Sequence, residues 1–193
     1  MDAEAPSLTD YLGDAAWYFD IWADVPGGVE LLGPPSRSIL HANWKSPTEN
    51  FIGDAYHVFW SHASINSVIA PPDFGVKAVA GPEAGVQLTS RYGHGMGIAY
   101  GASWLTVGGM CPDIRDWHIA REQEIARHYD AKRAKLYAGH WDAAIFPNMT
   151  YLFSTNVFKV WNPVGPNQIE LLTWVWGEKQ MPEELKRKAR AAT

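Results

Sequence analysis

Asp54, His57 and His62 fall within one short run and bring together two imidazoles and a carboxylate. Neutral imidazoles suit iron, zinc and copper, and two of them with one carboxylate and open positions is the arrangement of a mononuclear non-haem Fe(II) site. The spacing sets a condition on the backbone. Five residues on an ideal helix rotate the second imidazole by roughly 140° from the first, so an unbroken helix cannot aim both at one point. A helix that loosens or ends between Trp60 and His62 removes the conflict. Taken alone, the spacing of the two histidines is a weak pattern, and two satisfied polar side chains near a helix end compete with it. The zinc-protease pattern, two histidines four apart with a glutamate after the first, is absent.

The surrounding run from Asn43 to Ser64 predicts a helix with Pro47 at its first position, where a missing N–H costs nothing. Asn50, Asp54, His57 and Ser61 then recur at steps of four, three and four along one stripe, opposite the apolar Phe51, Ala55, Val58 and Phe59. A polar stripe where a core stripe is expected is unfavourable unless it is satisfied or coordinates something. Asp54, three residues before His57, is placed to accept an imidazole N–H.

The elements that must position this run read as follows. Ser7 or Thr9 caps a helix reaching about Asp24, where Pro26-Gly27-Gly28 ends it. Residues 29–32 and 36–41 alternate as two short strands around Gly33-Pro34-Pro35, and His41 belongs to a strand or turn. Residues 65–82 have no stable period and read as a long loop over the site, and 86–92 as a strand. In Gly93-His94-Gly95-Met96-Gly97 the glycines allow a close backbone approach, with His94 hydrogen-bonded structurally. Residues 114–137 read as one long charged helix facing solvent, with His118 and His128 on its surface. Residues 143–178 read as three antiparallel strands, and Met181-Pro182-Glu183-Glu184 opens a last helix whose basic run, 186–190, is a solvated face. Helices flanking antiparallel strands make an α+β domain.

Bulk properties narrow the function. A net charge of −5 argues against a nucleic-acid or anionic-membrane surface. No apolar run reaches membrane-spanning length and the start lacks a secretory signal, so the expectation is a cytoplasmic protein with no membrane partner. A Rieske cluster takes two cysteines and two histidines, and the sequence has one cysteine, Cys111, which reads as an inert loop thiol. Ten tryptophans suit an apolar cavity or an aromatic core.

Four blocks of sequence resemble the catalytic domain of the large subunits of Rieske-type aromatic-ring-hydroxylating dioxygenases, nearest to the naphthalene dioxygenase group. They are the run from Asn43 to Ser64; Gln87-Leu88-Thr89-Ser90 with the glycine cluster; Ile145-Phe146-Pro147-Asn148 with Val157-Phe158-Lys159-Val160-Trp161-Asn162-Pro163; and Glu178-Lys179 with the segment from Met181 to Arg187. The resemblance implies a helix-grip (Bet v 1-like, START-like) fold with a curved antiparallel sheet. Residues 1–193 would be a partial catalytic domain, incomplete at both ends, with the Rieske domain absent. It implies Fe(II) on His57 and His62, with a third carboxylate ligand beyond Thr193. Asp54 would bridge to a Rieske histidine of a neighbouring subunit. Asn50, Phe51, Val58, Ala99, His140, Asp142 and Leu152 fall at substrate-pocket positions. At Asp142 the family often carries Asn, which makes a ligating role for this aspartate the weaker reading. The implied reaction is cis-dihydroxylation of mono- or polycyclic aromatic hydrocarbons with O2. Electrons would come from NADH through a reductase, a ferredoxin and a [2Fe–2S] Rieske cluster on segments other than this one, in a homotrimer with or without small β subunits. A non-catalytic helix-grip domain binding a hydrophobic ligand, a zinc hydrolase and a Rieske-class monooxygenase remain as alternatives.

Overall fold

The structure, a computed structural model, describes residues 3–54, 57–69, 84–103 and 111–193, without the side chains of Val58, Phe59, Asn66 and Ile69. Among the described residues eight strands form one antiparallel sheet: β1 (Val29–Leu31), β2 (Ser36–Leu40), β3 (Gly85–Thr89), β4 (Gly95–Ala99), β5 (His140–Ile145), β6 (Met149–Leu152), β7 (Val157–Gly165) and β8 (Gln168–Glu178). Their order is β1-β8-β7-β6-β5-β4-β3, with β2 also paired to β8, so the sheet is open. The helices are α1 (Leu8–Leu12), α2 (Asp14–Ala23), α3 (Lys45–Gly53), α4 (Val58–Ser61), α5 (Ala63–Ile69), α6 (Pro112–Ile125), α7 (Ala131–Tyr137) and α8 (Glu183–Ala192). This is the expected α+β, helix-grip arrangement of an antiparallel sheet with flanking helices.

Strand periodicity gives the sheet two faces with different work. On one face, Met96, Ala143, Tyr151 and Phe158 are successive cross-strand partners. They join α2 in the main core, where the Trp22 ring lies 5.5 Å from Tyr151 and 4.5 Å from Trp176. Burying an aromatic side chain of this size contributes about 1.5–3 kcal/mol. Much of the tryptophan content therefore serves the core: Trp22, Trp141 and Trp176 are all buried there. On the opposite face the matching row is Gly97, Asp142, Leu152 and Val157.

Helix α3 packs on this second face. A Cβ on Gly95 would stand 2.7 Å from Ile52 Cγ2, so only glycine admits the helix at this distance. The turn between β5 and β6, which contains a cis Phe146–Pro147 bond, is tied to the helices. Thr48 donates to the Pro147 carbonyl at 3.1 Å and Tyr11 to that of Phe146 at 2.8 Å. His94 is fully buried; its Nδ1 accepts the Phe146 N–H at 3.0 Å and its Nε2 donates to the Tyr11 carbonyl at 2.8 Å. The structural role expected for His94 is met, and it fixes the frame on which α3 sits.

Several sequence expectations are corrected. The first helix is two, broken at Gly13 with φ +50°, although Ser7 caps α1 by accepting the Asp10 N–H as expected. The two short strands form as expected, and both pair with β8. Residues 140–178 hold four strands, because a turn at Phe153 to Asn156 adds a break where Asn156 takes φ +53°. Residues 63–69 are helical, and the rest of the expected loop, 70–83, lies outside the described residues. Lys186 is buried, not solvated, and pairs with Glu30 at 2.6 Å and Glu183 at 2.7 Å.

The long charged helix is two helices, α6 and α7, the second capped by Asp130, which accepts the Arg133 N–H at 2.9 Å. It is also not mainly solvent-facing. Ile114, His118, Arg121 and Ile125 form a buried stripe along α6, and His128 alone of its two histidines is exposed. Burial pushes the His118 imidazole down from 6.5 to about 4, because nothing there compensates a charged ring. Between these values the unfolded chain binds the proton and the folded chain does not. Stability fully present above pH 6.5 is therefore lost as pH falls toward 4, by about 3 kcal/mol in total. The variant His118→Leu is expected to flatten this part of the stability-versus-pH curve in urea titrations.

Candidate metal centre

The backbone solves the spacing problem by breaking twice. Helix α3 begins at Lys45, with Pro47 in its first turn, and ends at Gly53. Asp54 is its C-terminal cap at φ −100° and ψ 74°, so it leaves the helical path that the periodicity assumed. A second short turn, α4, follows His57, and His62 lies between α4 and α5. The Asp54 carboxylate starts that turn, accepting the His57 backbone N–H at Oδ1 over 3.1 Å. Ala55 and the side chain of Val58 lie outside the described residues.

These breaks bring the imidazoles together, with His57 Nε2 and His62 Nε2 3.1 Å apart. His57 Nδ1 lies 2.6 Å from the Asp54 carbonyl oxygen, which only accepts, so Nδ1 carries the proton. In the neutral ring Nε2 then presents a lone pair toward His62. A ligating histidine that donates its other N–H to a backbone carbonyl is the usual support of a metal site. The Asp54 carboxylate stands farther from the ring, Oδ2 to Nδ1 being 3.4 Å, so the expected orienting role passes mainly to its backbone. Asn50 Nδ2 lies 3.4 Å from Asp54 Oδ2 and 3.3 Å from His57 Nδ1, closing the cluster.

The donors fit a metal. At metal–nitrogen bonds of about 2.1 Å, nitrogens 3.1 Å apart subtend about 95° at a shared ion. Among the described residues no group of three or more His, Cys, Asp and Glu side chains is placed to hold one, and the two imidazole nitrogens are the donors brought together here.

The other expected site residues lie on the sheet face that carries α3. Phe51 on α3 packs against Trp161, with ring centroids 6.4 Å apart. Ala99 pairs with His140, and Leu152 with Asp142. His140 Nε2 lies 3.4 Å from Asp142 Oδ2, while its Nδ1 is bonded to Ser154 Oγ. Burial by itself raises the Asp142 carboxyl. The imidazole of His140, followed by those of His57 and His62, outweighs burial and holds it below the ordinary carboxylate range. The two groups of residues are thus electrically in contact, although they come from segments far apart in sequence.

Two neighbours were missed. Ser154 holds the far side of His140, and nothing in a Ser-Thr-Asn turn signals this. Lys159 stands 5.9 Å from the Phe51 ring centroid and 5.8 Å from that of Trp161. Burial lowers its ammonium, against an opposing pull from Asp142. Its signal was present, since a lysine on the Asp142 face of an otherwise apolar strand needs a reason. Cys111 heads α6 as its N-terminal cap residue and takes no part in the cluster.

The described residues include no helix long and apolar enough to cross a membrane. The family described as Ring hydroxylating alpha subunit (catalytic domain) matches residues 8–193. The large oxygenase component of the naphthalene 1,2-dioxygenase system of Ralstonia sp is 45% identical over 97% of this chain and 43% of its own length. That of the 2,4-dinitrotoluene dioxygenase system of Burkholderia sp. (strain RASC) is 40% identical over the same shares. A crystal structure of a naphthalene 1,2-dioxygenase variant bound to phenanthrene superposes with a TM-score of 0.85 at 40% identity, covering 99% of this chain and 44% of that one. The chain spans less than half the length of the relatives it matches.

Proposed function

Because the chain belongs to the family of ring-hydroxylating alpha subunits and matches their catalytic domain, we propose that it forms the iron-bearing part of an aromatic-ring dioxygenase. The observation that carries this reading is the pair of imidazole Nε2 atoms 3.1 Å apart, with the other nitrogen of His57, Nδ1, donating to a backbone carbonyl and so fixing the ring tautomer. His57 and His62 would hold Fe(II), with a carboxylate outside the described residues completing the set. Iron so bound supplies the activation of O2.

The chain's own residues orient and insulate. The Asp54 carbonyl fixes the His57 tautomer, its carboxylate fixes the turn, and Asn50 donates to that carboxylate over 3.4 Å. Asp54 also offers the route by which an electron reaches His57 from a Rieske histidine of a neighbouring subunit. Phe51, Ala99, Leu152, His140 and Asp142 line the space for the ring. The overall change takes an aromatic hydrocarbon, O2, two electrons and two protons to a cis-dihydrodiol. The electrons come from NADH by way of a reductase, a ferredoxin and a [2Fe–2S] Rieske cluster on polypeptide other than residues 1–193. A homotrimer, with or without small β subunits, sets neighbouring clusters beside Asp54, and the cytoplasm supplies the NADH.

The test is to supply the natural-length polypeptide with Fe(II), NADH, O2 and the electron-transfer proteins of a naphthalene dioxygenase system, and to look for a dihydrodiol from naphthalene and related rings. Product carrying both atoms of one ¹⁸O2 molecule is expected. Incorporation of a single atom would establish a monooxygenase instead, and ligand binding without turnover a non-catalytic domain.

A further inference from the structure

On the sheet face beneath α3, Asp142 is an acceptor with little to accept from. Its one side-chain hydrogen-bonding partner among the described residues is His140, at 3.4 Å, longer than a well-formed bond. An ionised carboxylate has about four lone-pair sites, so most of this capacity is unspent. The side chain is 36% exposed. On one flank its register partner is Gly97, where an added Cβ would meet nothing closer than Gln87 Nε2 at 3.8 Å, and Ala99 follows along the same strand face. On the other flank stands Leu152. A flat, low floor of glycine and alanine therefore lies beside an unsatisfied anionic acceptor. The imidazoles of His57 and His62 are near enough to act on that anion electrostatically.

We propose that Asp142 is a specificity-determining residue that selects aromatic rings carrying a hydrogen-bond-donating substituent, an arylamine or a phenol, over unsubstituted or alkyl-substituted hydrocarbons. This rests on the oxygenase reading, in that it takes the face below α3 as the substrate face. The physics follows from the two states of the carboxylate. A ring seated over Gly97 strips water from Asp142. A donor substituent replaces that water with a charge-assisted bond, and a methyl group leaves the anion with the long His140 contact and the more distant pull of Lys159. His140 cannot relieve the anion fully, because its other nitrogen is engaged by Ser154 and its contact to Asp142 is long.

The isosteres 1-naphthylamine and 1-methylnaphthalene differ in this one respect, and their dissociation constants on the Fe(II)-loaded natural-length protein are the first readout. The amine is expected to bind more tightly to the wild type, and Asp142→Leu is expected to lower the amine-to-methyl preference by at least about tenfold. Asp142→Asn, which keeps an acceptor without the charge, should fall between. Fe(II) affinity should stay within about twofold in both variants, since Asp142 is not grouped with two further donors in a metal-holding set. An unchanged preference in Asp142→Leu overturns the proposal, and so does loss of Fe(II), which would make Asp142 a ligand. The ratio of kcat/KM for the two compounds is the second readout. If the wild type oxidises neither compound, the oxygenase reading fails, while the binding preference still decides the role of Asp142.

Discussion

Replacing His57 or His62 with alanine is expected to weaken Fe(II) binding by more than about 100-fold, beyond the 10–100-fold that loss of an outer partner costs. On the proposed function each Nε2 would supply one of two donors on a shared ion, and among the described residues no group of three or more donor side chains is placed to replace it. The geometry also separates the roles of neighbouring atoms. Asp54→Asn keeps both the backbone carbonyl that fixes the His57 tautomer and a side-chain oxygen able to cap the following turn, so Fe(II) binding should remain near wild type. Asp54→Ala keeps the carbonyl and loses the cap, which is worth about 0.5–2 kcal/mol, and a moderate loss should result. Anaerobic Fe(II) titration of the four variants measures this order. Equal binding by His57→Ala and wild type would remove the basis for the metal centre.

The second large effect lies away from the site. Arg121→Met is expected to lower the unfolding free energy by about 3–5 kcal/mol, the usual result of removing one partner from a buried ion pair. The Arg121 and Glu178 side chains are 2% and 5% exposed, and Arg121 Nε donates to Glu178 Oε2 at 2.6 Å. Its Nη2 donates to the Pro26 carbonyl at 2.8 Å, and Tyr137 donates to the other oxygen of Glu178. This network clasps α6, the end of β8, α7 and the loop after α2. In the variant Glu178 is left buried with Tyr137 as its remaining side-chain donor. Replacing both members, Arg121→Met with Glu178→Leu, should recover part of the loss, since no charge is then stranded. Urea unfolding of the two proteins decides the matter, and a single variant within about 1 kcal/mol of wild type would show that the pair is not structural.

What the sequence disclosed and withheld can be traced to the same residues. The strands and the site run were legible because alternation and donor spacing are local properties. The stripe on α6 was not, although Ile114, His118, Arg121 and Ile125 recur at ideal helical steps. Two of its four members are polar, so a hydrophobic count treats the helix as surface. Their partner, Glu178, is 57 residues beyond Arg121. Likewise the polar stripe through Asn50, Asp54 and His57 was singled out for chemistry from its spacing, but a continuous helix was the wrong frame for it. Gly53 and the extended Asp54 that follows it end α3 early, and that break turns the imidazoles toward each other. The resemblance supplied the roles of Ala99, His140 and Leu152, which composition and spacing leave silent.

The division of the sheet into two faces has a further consequence, for how such a protein can change. Residues that pack against α2 and residues that face α3 alternate along the same strands, as Met96 with Gly97, Trp141 with Asp142, and Tyr151 with Leu152. A substitution at position 97, 142 or 152 alters the face that carries α3 without touching the aromatic core one residue away. Heritable variation on that face can therefore accumulate at alternate codons of β4, β5 and β6 while the stability of the domain is held by their neighbours. A gene library randomised at those alternate positions should yield mostly folded proteins, and the same library shifted by one residue should yield few.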